Sequence, residues 1–244
     1  MFCPKCGTQL PDGSVACSSC GTTFAPARGG AAAAVAGERM KAASADAFTA
    51  FKTFMGNPVG GLADAYDSLG AAKALGVGIT FGVVFAVCIL LSMYRVVPEF
   101  LRPGGVGGFL RMVVIAVTPF VALLVATVAV RTVFRGEGAI GIDSFLAGAA
   151  LLPFGFIALV ASILGPTNWN VIQFLAIFSI SITILMLFAG LTRIYKLSER
   201  MATIAVPIML LITAFLSQTI YRMMLKSAMG GMGGGDDPFQ GFGN

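Results

Sequence analysis

Five apolar runs between Leu75 and Tyr221 constrain this chain more than any other feature. They cover residues 75–94, 112–130, 145–164 (with a start as early as Ala139), 171–191 and 202–221. Each is close to the roughly 20 residues a helix needs to cross a hydrocarbon layer of about 30 Å. The chain is 57% hydrophobic and 11% charged, against about 45–50% and about 25% in soluble domains. A water-soluble fold of 244 residues has no interior large enough for that excess. The mean hydropathy of +0.89 agrees. Tyr94, Trp169, Tyr195 and Tyr221 fall at the ends of the runs, where amphipathic aromatic rings settle at the membrane interface. The expected fold is an all-α integral membrane bundle of five transmembrane helices, preceded by a small headpiece.

That headpiece holds four of the five cysteines. Cys3, Cys6, Cys17 and Cys20 lie in CPKCG and CSSCG, with ten residues between Cys6 and Cys17. Each CxxC turn aims two thiolates at one ion, and four thiolates close a tetrahedron with no open position for substrate. The residues between them include Pro11, Asp12 and Gly13, a turn sequence that predicts a small β-hairpin. Two disulfides would need an oxidising compartment, and a redox CxxC would need a βαβ unit that 24 residues cannot supply. Structural zinc is the expected cofactor. It would supply most of the folding energy of so small a unit. Cys88, inside the first run, reads as a small buried hydrophobe.

Residues 1–24, MFCPKCGTQLPDGSVACSSCGTTF, resemble the zinc-ribbon module at the amino termini of many prokaryotic membrane and regulatory proteins. The resemblance implies an interaction module, serving nucleic acid in some proteins and protein in many. Lys5 and Asp12 are the only charges between Met1 and Phe24, too few to neutralise a phosphate backbone. A protein partner is expected, and nucleic acid is not.

Residues 25–37, rich in Ala and Gly, read as a flexible linker. Residues 38–70 read as amphipathic juxtamembrane helices. Met40, Ala43, Ala47, Phe51, Phe54 and Met55 recur at helical spacing up to the Asn57-Pro58 stop, and Leu62, Tyr66 and Leu69 follow up to Gly70. Two placements stand: flat on the bilayer with phenylalanines among the headgroups, or packed on the ends of the spans. The transmembrane domain is expected over 71–223, and 224–244, Gly-rich, as a disordered tail.

MFCPKCG lacks the basic and apolar regions of a cleaved signal peptide, so the first span is expected to act as its own anchor. The basic residues flanking the spans divide six against five between the two sides, and positive-inside bias does not orient the chain. The thiolate headpiece does, because it needs a reducing side. The amino terminus is expected in the cytoplasm and, after five spans, the carboxyl terminus outside, in a prokaryotic plasma membrane.

No histidine is present, which removes imidazole ligands, imidazole bases and imidazole pH switches. Without paired carboxylates, and with a closed metal site, no catalytic residue is expected and the chain is read as non-enzymatic. Asp143 is the only carboxylate at membrane depth and therefore a candidate intramembrane polar site. It also suits an N-cap at the interfacial start of the third helix. Asn168, Asn170, Gln173 and Gln218 are candidates for a polar cleft, and Pro119, Pro153 and Pro207 fall mid-span. Ser144, Gly148, Ala149 and Gly155 give the third span a small-residue face.

A soluble headpiece, short amphipathic helices with an Asn-Pro stop and five closely spaced spans together resemble the Yip family of membrane proteins, over roughly residues 48–223. The resemblance implies a membrane-shaping or trafficking adaptor without catalytic residues. The Asp-Leu-x-Gly-Pro motif of the eukaryotic branch has no counterpart in residues 57–70, so GTPase binding is not carried over. Two functions are therefore expected in order: an adaptor whose ribbon recruits a cytoplasmic protein, then a small transporter or channel with Asp143 as coupling carboxylate. The lipid bilayer is a partner in both, and the sequence leaves oligomeric state open, a homo-oligomer included.

Overall fold

The computed structural model describes residues 8–9, 28–96, 105–165 and 168–229. Among these the order is α1 (Arg28–Gly56), α2 (Gly61–Val96), α3 (Gly105–Val133), α4 (Ile140–Leu164), α5 (Trp169–Ala189), a π turn (Gly190–Ile194) and α6 (Glu199–Met229). Five of the described helices are long and apolar enough to cross a membrane, which makes the chain an integral membrane protein, as its hydropathy requires. The expected ribbon hairpin and its four cysteines lie outside the described residues, apart from Thr8 and Gln9.

The chain divides into two compact units, residues 1–44 and 45–244. In the first, residues 28–37 are helical and not the flexible linker expected there. Ala31 to Ala34 explain the difference, since alanine has the highest helix propensity and a run of it outweighs two neighbouring glycines. At the other end of the chain α6 continues to Met229, six residues into the expected tail.

In the second unit α4 is the central element. Every residue from Gly141 to Leu152 is buried, so its surroundings are protein on all sides. Its small-residue face meets α2. A Cβ on Gly78 would strike the Ser144 backbone, and one on Gly148 would strike the Gly78 carbonyl; only glycine lets the two backbones approach this closely. Further along, Gly155 lies against Phe85 and Cys88. The helix axes are parallel, because Gly141 meets Ala71 and Leu75 near the start of both.

Residues 45–70 form a helical hairpin on the flank of this pair. Asn57 makes its tip, accepting from the Gly60 amide at 2.9 Å on Oδ1 and from the Gly61 amide at 2.7 Å on its carbonyl. Gly70 takes φ 70° and ψ 163° inside α2, a left-handed conformation that favours glycine, and separates the hairpin arm from the span. Phe54 is buried, edge-on to Phe81 at 5.6 Å; Phe51 meets Phe156 at 5.7 Å and Tyr66 meets Phe145 at 5.9 Å. Phe48 points outward under Lys52, whose Nζ lies 4.6 Å from the ring. The hairpin is thus neither flat beside the bundle nor stacked on its ends. It runs along the flank, because its stripe of Ala47, Ala50, Phe54, Leu62 and Ala65 is buried in the common core.

The prolines cost less backbone bonding than their number suggests. Pro119 in α3 has no amide for the Ile115 carbonyl, and Tyr221 of α6 donates its hydroxyl there at 3.3 Å. In α4, Pro153 leaves the Ala149 carbonyl without its amide, and Thr183 of α5 donates to the adjacent Ala150 carbonyl at 2.9 Å. Phe174, Ile177 and Phe178 on α5 and Leu211 and Phe215 on α6 face outward, as lipid-facing positions do.

Candidate functional site, a buried charge cluster

The last turn of α3, the first turn of α4 and the residue after the π turn meet at one end of the bundle. Arg131 ends an apolar helix, where its cation suits the C-terminal dipole, and Asp143 begins one, where its anion suits the N-terminal dipole. The short α3–α4 connection faces the two toward each other. Nε of Arg131 donates to both oxygens of Asp143 at 3.0 Å, and Nη2 lies 3.0 Å from Oδ2. Nη1 donates to the Gly138 carbonyl at 3.1 Å. Tyr195 donates its hydroxyl to Oδ1 at 2.5 Å. Asp143 is 0% exposed and Tyr195 1%.

The two connections are tied over this cluster. The Glu137 amide donates to the Tyr195 carbonyl at 3.2 Å, and Lys196 pairs with Glu137 at 3.0 Å. The Tyr195 amide donates to Gly190 at 3.1 Å and the Leu197 amide to Leu191 at 3.0 Å, which aims the phenol inward. Arg135 and Lys196 both take φ 54°, an uncommon conformation for residues with a Cβ. Thr127, fully buried beside the phenol, gives its own proton to the Leu124 carbonyl at 2.7 Å.

Burial, and next the adjacent charge of Asp143, push the Tyr195 phenol far above its ordinary range. It stays a neutral donor. The two side-chain oxygens of Asp143 receive three N–H or O–H groups, two from Arg131 and one from Tyr195. The arrangement is a hydrogen-bonded clasp that joins α3, α4 and the end of α5.

The N-cap reading of Asp143 is corrected by this geometry. Ala139 is the N-cap of α4 and makes no side-chain cap bond, while Asp143 sits one turn in and faces Arg131. By sequence alone Arg131 is one of the basic residues flanking the spans and Tyr195 one of the aromatics at their ends. What would have found them is that a span ending in Arg and one beginning with Asp, twelve residues apart, emerge on the same side of a membrane, as does Tyr195. The polar-cleft candidates do not converge. Asn168 donates to the Leu164 carbonyl at 2.8 Å, and Gln173 and Gln218 are exposed.

Cys3, Cys6, Cys17 and Cys20, the expected metal ligands, lie outside the described residues. The donor set itself fits zinc: four thiolates in two CxxC pairs, without a histidine or carboxylate between them. Among the described residues no group of three or more His, Cys, Asp and Glu side chains lies close enough to hold a metal ion. A zinc-ribbon domain model matches residues 2–24. No curated protein and no solved structure matches the chain. The zinc-ribbon match covers about a tenth of the length, and the five apolar helices lie outside it.

Proposed function

We propose that this chain is a non-enzymatic membrane adaptor, in which the bundle anchors and the zinc ribbon recruits a protein partner on the cytoplasmic side. The carrying observation is the junction itself, a zinc-ribbon domain at residues 2–24 on a chain whose described remainder is mostly apolar membrane helix. Cys3, Cys6, Cys17 and Cys20 hold one structural zinc in this reading. The ion fixes the ribbon's shape, and the near absence of charge between Met1 and Phe24 favours protein over nucleic acid. The layout's likeness to the Yip family adds a role in membrane shaping or trafficking. Captures from detergent extracts with intact chain and with Cys3→Ser or Cys17→Ser test the reading. Loss of specific partners in both variants, with the protein still in the membrane, is expected. Full retention of every partner would refute it.

The burial of Asp143 among the spans favours a second reading, a small transporter or channel with that carboxylate as its coupling group. Asp143→Asn in proteoliposomes distinguishes the two. The adaptor reading expects no solute flux in either protein, and the transporter reading expects a flux that the substitution changes.

A further inference from the structure

We propose that the hairpin of residues 45–70 holds a hydrated notch open along one flank of the bundle, so that water reaches within one leaflet a depth that hydrocarbon occupies elsewhere around the protein. The depth follows from the parallel pair α2 and α4. Gly141 lies beside Ala71 and Leu75, and Gly155 lies beside Phe85 and Cys88, so the two helices share one scale along the membrane normal. At 1.5 Å per residue, Phe81 stands about 15 Å beyond Ala71 and Phe156 about 24 Å beyond Ile140, out of a layer of about 30 Å. The hairpin rings sit against those residues, Phe54 on Phe81 and Phe51 on Phe156. The hairpin therefore descends near the middle of the layer.

Its two faces differ in chemistry. The inner face is the buried stripe of Phe54, Leu62 and their neighbours. The outer face presents Thr49, Lys52, Thr53, Asn57, Asp64 and Asp67, all exposed. At similar depth on α2 the exposed residues are Val83, Val84 and Val87. Charges turned toward hydrocarbon are rare, and those found at membrane depth face the bundle interior or a water-filled cavity. Lys52, next to Phe51 on the arm whose rings reach Phe81 and Phe156, faces outward from the bundle, so the bilayer beside it must thin and admit water. The hairpin is fixed in place by its buried stripe and by the ion pair of Lys73 with Asp46 at 3.1 Å, at its base.

The test uses the full-length, zinc-loaded chain with Cys88→Ala, in phosphatidylcholine and phosphatidylglycerol nanodiscs. Single variants Thr53→Cys, Asp64→Cys and Val83→Cys are labelled with a charged, membrane-impermeant thiol reagent, and the parent sets the background from the ribbon. Because the thiolate is the reacting form and forms only in contact with water, Thr53→Cys and Asp64→Cys should label at least about tenfold faster than Val83→Cys. In a separate Phe51→Cys/Phe156→Cys variant, a short bifunctional thiosulfonate should join the peptides bearing positions 51 and 156. Fast labelling with that crosslink supports the notch. Slow labelling at all three positions overturns it, because lipid or a second copy then covers the flank. Fast labelling without the crosslink also overturns it, because the hairpin then lies at the membrane surface.

Discussion

Tyr221 of α6 donates its hydroxyl to the carbonyl of Ile115 in α3, the one carbonyl in its turn that Pro119 leaves without an amide donor. A proline inside a membrane helix frees a polar group that lipid cannot satisfy, and a neighbouring helix supplies the missing proton. Tyr221→Phe should destabilise the bundle by about 0.6–1.7 kcal/mol, the range for hydrogen bonds between membrane helices. In a Pro119→Ala background the restored amide bonds Ile115 from within α3, and the same substitution should cost markedly less. Thermal unfolding of the four proteins in one detergent measures the difference, and equal costs in both backgrounds would break the link between the proline and the tyrosine.

The clasp at the other end should be far more sensitive. Asp143→Leu leaves Arg131, only 18% exposed in its side chain, facing a protein interior without its counter-ion, and removing one member of such a pair costs about 3–5 kcal/mol. Arg131→Met added to Asp143→Leu should recover most of that loss, since an apolar pair of similar volume has nothing left to neutralise. The folded fraction after mild heating, read by size-exclusion chromatography, separates the single from the double variant. If the double variant were no better than the single, the loss would not lie in the uncompensated charge.

Tyr195 gives the clasp a pH dependence. In the unfolded chain a phenol ionises near pH 10, whereas burial and Asp143 hold this one protonated well above that. A folded pKa above the unfolded one means the contribution is whole below about pH 10 and is lost as pH rises beyond it. The wild-type melting temperature should therefore fall more steeply above pH 10 than that of Tyr195→Phe, which lacks the ionisable group. Parallel curves would remove Tyr195 from the account.

The five spans were legible because their signal is cumulative: each run needs only length and the near absence of charge. Asp143 was legible as an oddity for the same reason. Its partners were not, because Arg131 and Tyr195 are each ordinary at a membrane interface, and only the fold brings positions 131, 143 and 195 together. The periodicity of residues 45–69 identified an apolar stripe but not what covers it. Phe54 and Phe48 look alike in sequence, yet one is buried against Phe81 and the other is exposed. The stretch 28–37 is helical although its glycines suggest flexibility, because its alanines decide the helix.

Gly78 and Gly148 mark where α2 and α4 come closest. A methyl at Gly78 would meet the Ser144 backbone, which cannot rotate away as a side chain would. Gly78→Ala should force the helices apart and cost about 1–3 kcal/mol, as overpacking does. A methyl at Gly82 would meet the ring of Phe120, which can turn, so Gly82→Ala should cost less. Melting temperatures of the two variants should differ in that order, and the reverse order would mean the α2–α4 contact is not the tighter one.

Zinc should matter to the headpiece and leave the bundle alone. If Cys3, Cys6, Cys17 and Cys20 close around one ion, its binding supplies on the order of 10–16 kcal/mol to a unit with almost no core of its own. Residues 1–44 and 45–244 form separate compact units, and the charge clasp, the glycine contacts and the Tyr221 bond all lie in the second. Cys17→Ser should therefore lower bound zinc from one ion per chain toward none and leave the thermal transition of the detergent-solubilised bundle in place. Native mass spectrometry counts the ion, and protease sensitivity confined to the first residues reports the loss of the ribbon. A bundle that unfolds together with the ribbon would show that the metal serves the membrane domain directly, and one zinc per chain still bound after Cys17→Ser would remove Cys17 from the ligand set.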